Sequence, residues 1–571
     1  MADERYMPRM EHPQPQFERR NWINLNGEWD FEFDFSKSGR ERKLYEAQHL
    51  IQKIIFPFCP PSRLSGVGYT DFINCVWYRK AVTLSPEQLK GRVLLHFGAV
   101  DYEAYVYVNG QLAGTHKGGY TSFSFDITKL LRQGENSICL CVEDNERDTA
   151  VPSGKQCYEL KSQGCFYTRT TGIWQTVWLE LVPKAYIKSV KFYPDVENCA
   201  VTVAAEVCGS GRLKTRVTYK SQEMGTAEVN ASGLVTFTVP LAQKHLWEVG
   251  CGRLYDVVFT FGEDSVKSYF GLRSLKLDGY KFLLNGRSVF QRLVLDQGFY
   301  PEGIYTAPSD RELREDIERS MSCGFNGARL HEKVFEARFL YHCDKLGYLV
   351  WGEYPNWGID HSRSDIIPQY LREWTESVER DFNHPSIVGW CPFNETWDFQ
   401  GRLRCPELLR TVYEVTKKLD PTRPCIDTSG NYHVVTDIFD VHDYTQKAEE
   451  LKAHCDLMLK ERKSFDRDMN AKQTYTGGAF FVSEYGGIGW DCNPEKGWAY
   501  GEAPKTEEEF KTRFKDLADA LLDDDRIMGL CYTQLTDVEQ EVNGLYTYDR
   551  RAKFDCGYFR KVLERKATIE D

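Results

Sequence analysis

Two short stretches of this chain put a glutamate where it could do chemistry: "WCPFNETWD" over residues 390–398, carrying Asn394 and Glu395, and "SEYGG" over 483–487, carrying Glu484. Each carboxylate closes an apolar run, "IVGWCPFNE" in one case and "AFFVSEYG" in the other. An isolated carboxylate in apolar surroundings is costly, so a glutamate there needs a partner or a task. Paired carboxylates across a pocket are what glycoside hydrolysis requires: one protonates the leaving oxygen while the other attacks C1 or activates water. For either glutamate alone, a structural carboxylate bonded to backbone amides is an equal alternative. The two together favour catalysis.

The elements that must position them begin near residue 275, where strand-like runs alternate with amphipathic helices. Ser309-x-x-Glu312 reads as a capping box opening a helix that turns Leu313, Ile317 and Met321 to one side, and Thr506-x-x-Glu509 opens another with Phe510, Phe514, Leu517 and Leu521 inward. The candidate strands are "SVFQRLVL", "GFNGARLH", "GYLVWGEY", "IVGWCPFNE", "PCIDTS", "IFDVHDY", "AFFVSEYG" and "IMGLCYTQLTD". Eight strands with helical connections predict a (β/α)₈ TIM barrel over 275–571. A doubly wound sheet is the alternative, but no GxGxxG follows a first strand.

Barrels of this type work at the C-terminal ends of their strands. Read in order, those ends offer Asp296, Arg329 with His331, Glu353, Asn394 with Glu395, Asp427, His442 through Tyr444, Glu484 with Tyr485, and Gln534 with Asp537. Glu353 and Asp398 read as supporting or capping groups. Trp and Tyr rings suit the apolar edges of sugars, and Trp357, Trp397 and Trp490 are the candidate platforms, with Trp351, Tyr354, Trp498 and Tyr500 nearby in sequence. No HExxH or facial triad occurs, so no metal is expected, and no cofactor either.

Upstream the pattern is all β. Residues 1–184 hold short alternating runs, among them "YEAYVYVNGQLAGTHKGGY" with the hairpin signal Asn109-Gly110, and predict a jelly roll. Residues 185–274 continue in strands over a length that suits an immunoglobulin-like β-sandwich. At 571 residues, several domains are the expectation. A net charge of −12 without a basic block argues against a nucleic-acid partner, and no 18-residue apolar run is present to span a membrane. The amino-terminal residues lack the apolar core of a signal peptide, so a cytoplasmic location is expected. The 18 cysteines are scattered without a CxxC pair and read as free thiols. The two Asn-x-Ser/Thr sequons then read as chance matches.

The motifs also carry a family resemblance. "VDYEAYVYVNGQLAGTHKGGYTSFSFDIT", "TTGIWQTVWLELV", "SCGFNGARLH", "CDKLGYLVWGE", and above all "FNE" with "SEYGG" resemble glycoside hydrolase family 2, over nearly the whole chain. The resemblance implies a retaining exo-glycosidase acting on a terminal sugar, with Glu395 as general acid/base and Glu484 as nucleophile. It also implies that Asn394 binds the sugar 2-hydroxyl while Arg329, His331 and Tyr444 orient nucleophile and sugar. On this view the apolar wall raises the pKa of Glu395 until it holds a proton for the leaving group.

Departures bear on the substrate. Where β-glucuronidases of the family carry Asn-x-Lys, this chain reads Glu541-Val542-Asn543, which disfavours a glucuronide, and "CYTQLTD" lacks the Trp many members show there. No further β domains are expected after the barrel, unlike the long β-galactosidases. A β-galactoside is the first expectation, an α-L-arabinofuranoside or β-galactofuranoside the second, and a non-catalytic carbohydrate-binding protein the alternative from another class. Carbohydrate is the expected partner, and a homo-oligomer fits the habit of such barrels.

Overall fold

A computed structural model describes residues 7–463, 473–490 and 497–571. The first unit is a jelly roll of two antiparallel sheets. Six strands, in the order Gln52–Phe56, Gly27–Phe33, Cys75–Leu84, Gly134–Glu143, Glu103–Val108 and Gln111–Lys117, face four shorter ones. Alternation puts Phe31, Tyr78, Val106 and Leu140 of one sheet against Val93, Leu95, Phe97 and Leu179 of the other. Asn109 and Gly110 turn the hairpin with φ of 51° and 81°, the left-handed pair that matches strand twist.

The immunoglobulin-like unit is built on one long strand, Ala200–Tyr219. Its first half pairs with Tyr186–Asp195 and its second with Leu254–Phe261, and its register breaks between Val207 and Ser210. One strand thus serves both layers around Phe192, Val203, Val217 and Phe259.

The barrel follows. Seven parallel strands run in the spatial order Ile387–Cys391, Leu349–Glu353, Gly327–Leu330, Gln291–Asp296, Ile527–Thr533, Ala479–Gly486 and Ile438–Asp443. Both expected caps form: Ser309 accepts from the Glu312 N–H and Thr506 from that of Glu509. The expected fifth strand, "PCIDTS", is not a regular strand. It touches the fourth strand through isolated bridges at Trp390–Cys425 and Asn394–Ser429, and the Asp437 N–H reaches the Cys425 carbonyl at 3.0 Å on the other side. Two residues explain the failure. Pro424 has no N–H to give, and the Asp427 carboxylate gathers the amides of Thr428, Val434 and Val435 into a turn.

The jelly roll is sewn to the barrel mouth by residues 153–168. The Ser153 and Gly154 amides donate to the Trp357 carbonyl at 2.9 and 3.0 Å, and the Thr168 amide donates to Glu539 at 3.0 Å. Gln540 donates to the Gly164 and Phe166 carbonyls, and the Tyr167 hydroxyl to Glu541. Every described cysteine is a free thiol, and no described helix is long and apolar enough to cross a membrane.

Candidate active site

Glu395 sits just beyond the fourth strand. Phe393 anchors the turn by stacking on Tyr370 at 4.7 Å, and the Glu395 N–H bonds the Ser429 carbonyl at 2.9 Å. The backbone of Glu395 is left-handed, with φ of 43°, which is unfavourable for a glutamate and persists because both flanks are pinned. Its carboxyl projects into the mouth, where Oε1 lies 2.7 Å from His442 Nδ1.

Glu484 lies within its strand and is held on both oxygens. Oε1 accepts from Arg329 Nη1 at 2.9 Å, and Oε2 accepts from the Tyr444 hydroxyl. Arg329, fully buried, also donates to Glu353 at 2.6 Å and to the Asn394 amide oxygen at 3.1 Å. Glu353 in turn receives His331 Nδ1 at 3.2 Å, and that nitrogen lies 3.8 Å from Glu484. Burial, with Lys155 and Arg329 adding to it, pushes the His331 pKa well down. One oxygen of Glu395, one of Glu484 and one His442 nitrogen all lie within 4.8 Å of one another.

Glu395, Glu484, Asn394, Arg329, His331 and Tyr444 therefore converge. Asn394 has its Nδ2 buried without a hydrogen-bond partner. The expectation that an apolar wall raises the pKa of Glu395 is corrected. Burial does push it up, but the His442 hydrogen bond and charge, with Lys155 and Arg329 behind them, carry it below the ordinary glutamate value. His442 moves the other way: burial lowers it, and Glu484 and Glu395 bring it above the usual imidazole value.

Other candidates are placed differently. Asp296 accepts the Gly298 N–H at 2.9 Å, and burial beside Asp316 raises it to about 6; its charged neighbours are Asp316, Arg550 and Lys333, not the two glutamates. Trp490 packs on Phe510 and Phe554 in the outer core. Trp357 has one face covered by the Lys155 ammonium, 3.5 Å from the ring centroid, and its Nε1 donates to the Asn394 carbonyl at 3.1 Å. It positions Asn394 in place of offering an open platform. Trp397 is 46% exposed beside Glu395. Trp351 is core, donating to Gln291.

Sequence reasoning missed Lys155, which comes from the jelly roll. Its side chain is buried, yet among the described residues its ammonium has no hydrogen bond or ion pair beyond the Trp357 ring. Burial pulls its pKa down, but Cys165, Glu541, Glu332 and Glu395 bring it above the ordinary lysine value. Nothing in its local sequence links that loop to the barrel.

Behind the site, His433 bridges Asp427 at 2.8 Å and Asp440 at 3.2 Å. Burial opposes its charge, but the two carboxylates raise it to about 10. A folded pKa above the unfolded value of 6.5 gives stability that is complete below about pH 6.5 and is lost as pH rises toward about 10. The melting temperature should therefore fall between pH 7 and 10, and less steeply in His433→Gln. Equal slopes in the two proteins would remove this role.

The chain is thus a jelly roll, a small β-sandwich and a barrel whose mouth holds two close carboxylates. Residues 65–183 match the sugar binding domain model of glycosyl hydrolases family 2, residues 185–273 match the model named for the family itself, and residues 308–486 match its TIM barrel domain. The chain belongs to glycosyl hydrolases family 2.

A protein of Thermoanaerobacter pseudethanolicus named β-galactosidase is 28% identical over 423 residues, covering 68% of this chain and 54% of that protein. A putative β-glucuronidase of Formosa agariphila is 28% identical over 372 residues, covering 61% and 44%. The chain thus spans about half the length of these two relatives. The β-glucuronidase of Felis catus is 26% identical over 471 residues, covering 73% and 70%. The solved β-glucuronidase of an uncultured Clostridium sp. shares the fold with a TM-score of 0.78 at 22% identity, covering 97% of this chain and 99% of that one.

Proposed function

We propose that this protein is a retaining exo-glycosidase, with Glu484 as nucleophile and Glu395 as acid/base. The observation that carries this is the approach of the two carboxyl groups to within 4.8 Å. Inverting enzymes need about 6.5–9.5 Å between the groups to admit a water, whereas about 5–5.5 Å suits direct attack. Glu484 attacks C1 as the glycosidic bond breaks and Glu395 protonates the departing oxygen; water then cleaves the ester with Glu395 as base. Arg329 and Tyr444 fix both nucleophile oxygens, so little reorganisation precedes attack. The unpartnered Asn394 Nδ2 is the donor for the sugar 2-hydroxyl in this reading, a contact that strengthens as oxocarbenium character grows. The jelly-roll segment 153–168 closes one side of the mouth, which favours a terminal sugar.

A β-galactoside is the first reading for the sugar, supported by the relative named β-galactosidase. A β-glucuronide is the second, and Lys155 favours it. Asn543 stands where the resembling glucuronidases carry their lysine, with the Glu541 carboxylate two residues before it, but Lys155 brings an ammonium to the same mouth from another domain. A uronate would give it a charge-assisted partner.

Nitrophenol release from β-galactopyranoside, β-glucuronide, β-mannoside, β-galactofuranoside and α-L-arabinofuranoside tests both readings. If the glucuronide is cleaved, Lys155→Gln should raise its KM at least about tenfold and leave a galactoside nearly unaffected. Cleavage of the galactoside alone would select the first reading. Silence on all five, with sugar binding retained, would select the binding protein.

A further inference from the structure

His442 stands between the two glutamates, and the hydrogen bonds around it fix where its protons lie. Nε2 is 3.0 Å from Ser429 Oγ and 3.4 Å from Arg329 Nη1. Ser429 Oγ is 2.6 Å from Asp440 Oδ2, and the Ser483 hydroxyl also donates to that oxygen. Asp440, paired with His433, is held below the usual carboxylate range despite its burial and can only accept. Each serine has one hydroxyl proton, and Asp440 Oδ2 is the nearer acceptor for both, ahead of Ser483 Oγ at 3.2 Å for Ser429 and the Val441 carbonyl at 3.3 Å for Ser483. Ser429 therefore faces His442 with a lone pair, and Nε2 carries hydrogen. Arg329 Nη1 can only donate, and at 3.4 Å from Nε2 it is a weaker competitor than Ser429, since it also donates to the Ser483 carbonyl at 2.8 Å and to Glu484 at 2.9 Å.

With Nε2 protonated, the 2.7 Å contact between Nδ1 and Glu395 Oε1 holds a second ring proton. The form is imidazolium beside carboxylate, since Glu395 is held below and His442 above its ordinary value. The same Nδ1 lies 3.4 Å from Glu484 Oε2, so the hold on that proton depends on the charge of the nucleophile. Glu353 and Arg329 complete the charged surroundings beside His331, whose pKa is pushed well down, and among the described residues no side chain but the two glutamates shares Nδ1. Gly430 seats the ring: its φ is +78°, and a Cβ there would come within 2.2 Å of Nδ1.

We propose that His442 is a positioning residue that stores the catalytic proton for Glu395 and releases it when Glu484 loses its charge. This rests on the retaining reading. In the first step the C1–oxygen bond breaks, Glu484 Oε bonds to C1, and Glu395 delivers the stored proton to the departing oxygen, leaving His442 neutral and Glu395 ionised. The ester carries no charge beside Nδ1, so the imidazole no longer holds the proton back. In the second step water adds to C1, Glu395 takes its proton, the ester bond breaks, and the returning charge on Glu484 draws that proton back to the Glu395–His442 contact. Total charge is the same before and after each step.

The test uses the full-length protein and an activated 2-deoxy-2-fluoro glycoside of the sugar found to be cleaved, with intact mass reporting the ester. Nitrogen-15 resonances of His442, assigned by its loss in His442→Asn, should read as imidazolium in the free protein at pH 6 and as the Nε2–H neutral ring after trapping. An unchanged His442 signal with the ester formed would overturn the proposal and leave the retaining reading intact. Absence of an ester at full conversion of the reagent would overturn both. In kinetics, His442→Asn should move the basic limb of kcat/KM down by at least one pH unit. It should cost an alkyl glycoside at least tenfold more than a dinitrophenyl glycoside, whose leaving group needs no proton. Equal losses on both substrates with an unmoved limb would reduce His442 to a structural role.

Discussion

Replacing Glu484 by Ala should lower turnover of a nitrophenyl glycoside on the order of 10⁴-fold or more, the scale seen when a member of a cooperating catalytic set is removed. The sugar should still bind, because Asn394 and the rest of the mouth remain. Added azide should restore part of the turnover, entering C1 from the face the carboxylate has left, so the glycosyl azide should have the inverted configuration. Arg329 would lose one of its two carboxylate partners in the barrel interior, and breaking a buried pair is destabilising. Its 2.6 Å bond to Glu353 remains, and Glu484→Gln, which keeps an acceptor for Arg329, separates lost folding from lost chemistry. Full turnover in a folded Ala variant would sink the assignment.

The second large effect belongs to Glu395, and its size should depend on the leaving group. For an alkyl glycoside the departing oxygen needs a proton, and Glu395→Ala should cost about 10²–10⁴-fold, the usual contribution of a positioned acid. For a dinitrophenyl glycoside the first step should be nearly intact, but water would then lack its base. The ester should accumulate, lowering kcat and KM together. Here azide should give the retained configuration, since it attacks the ester from the open face. A uniform loss across leaving groups would show that Glu395 only shapes the site.

Much of the site could be read from local pattern. Asn394-Glu395 and Glu484 end apolar runs that the barrel keeps as strands, and Ser309 and Thr506 cap the helices their spacing implies, because these signals depend only on near neighbours. The fifth strand misled because apolar pattern says nothing of where Asp427 sends its carboxylate. Glu395 misled for a related reason: its neighbours in sequence are aromatic, but its neighbour in space is His442. Trp490 has the residue type of a platform and the surroundings of a core residue. Lys155 could not be found at all from pattern, since its meaning depends on two domains meeting across more than 200 residues of chain.

That meeting also orders events in time. Domains fold as units, amino-terminal first during synthesis, so the loop bearing Lys155 and Tyr167 is made before any strand it will cover. Glu541, which Tyr167 must find, lies 374 residues later. A newborn chain can therefore display a finished jelly roll and even a fourth barrel strand without yet owning an enclosed mouth. Activity in a refolding or translation-arrest experiment should consequently emerge as a single late event, and a cut within 153–168 should silence a barrel whose own strands are untouched.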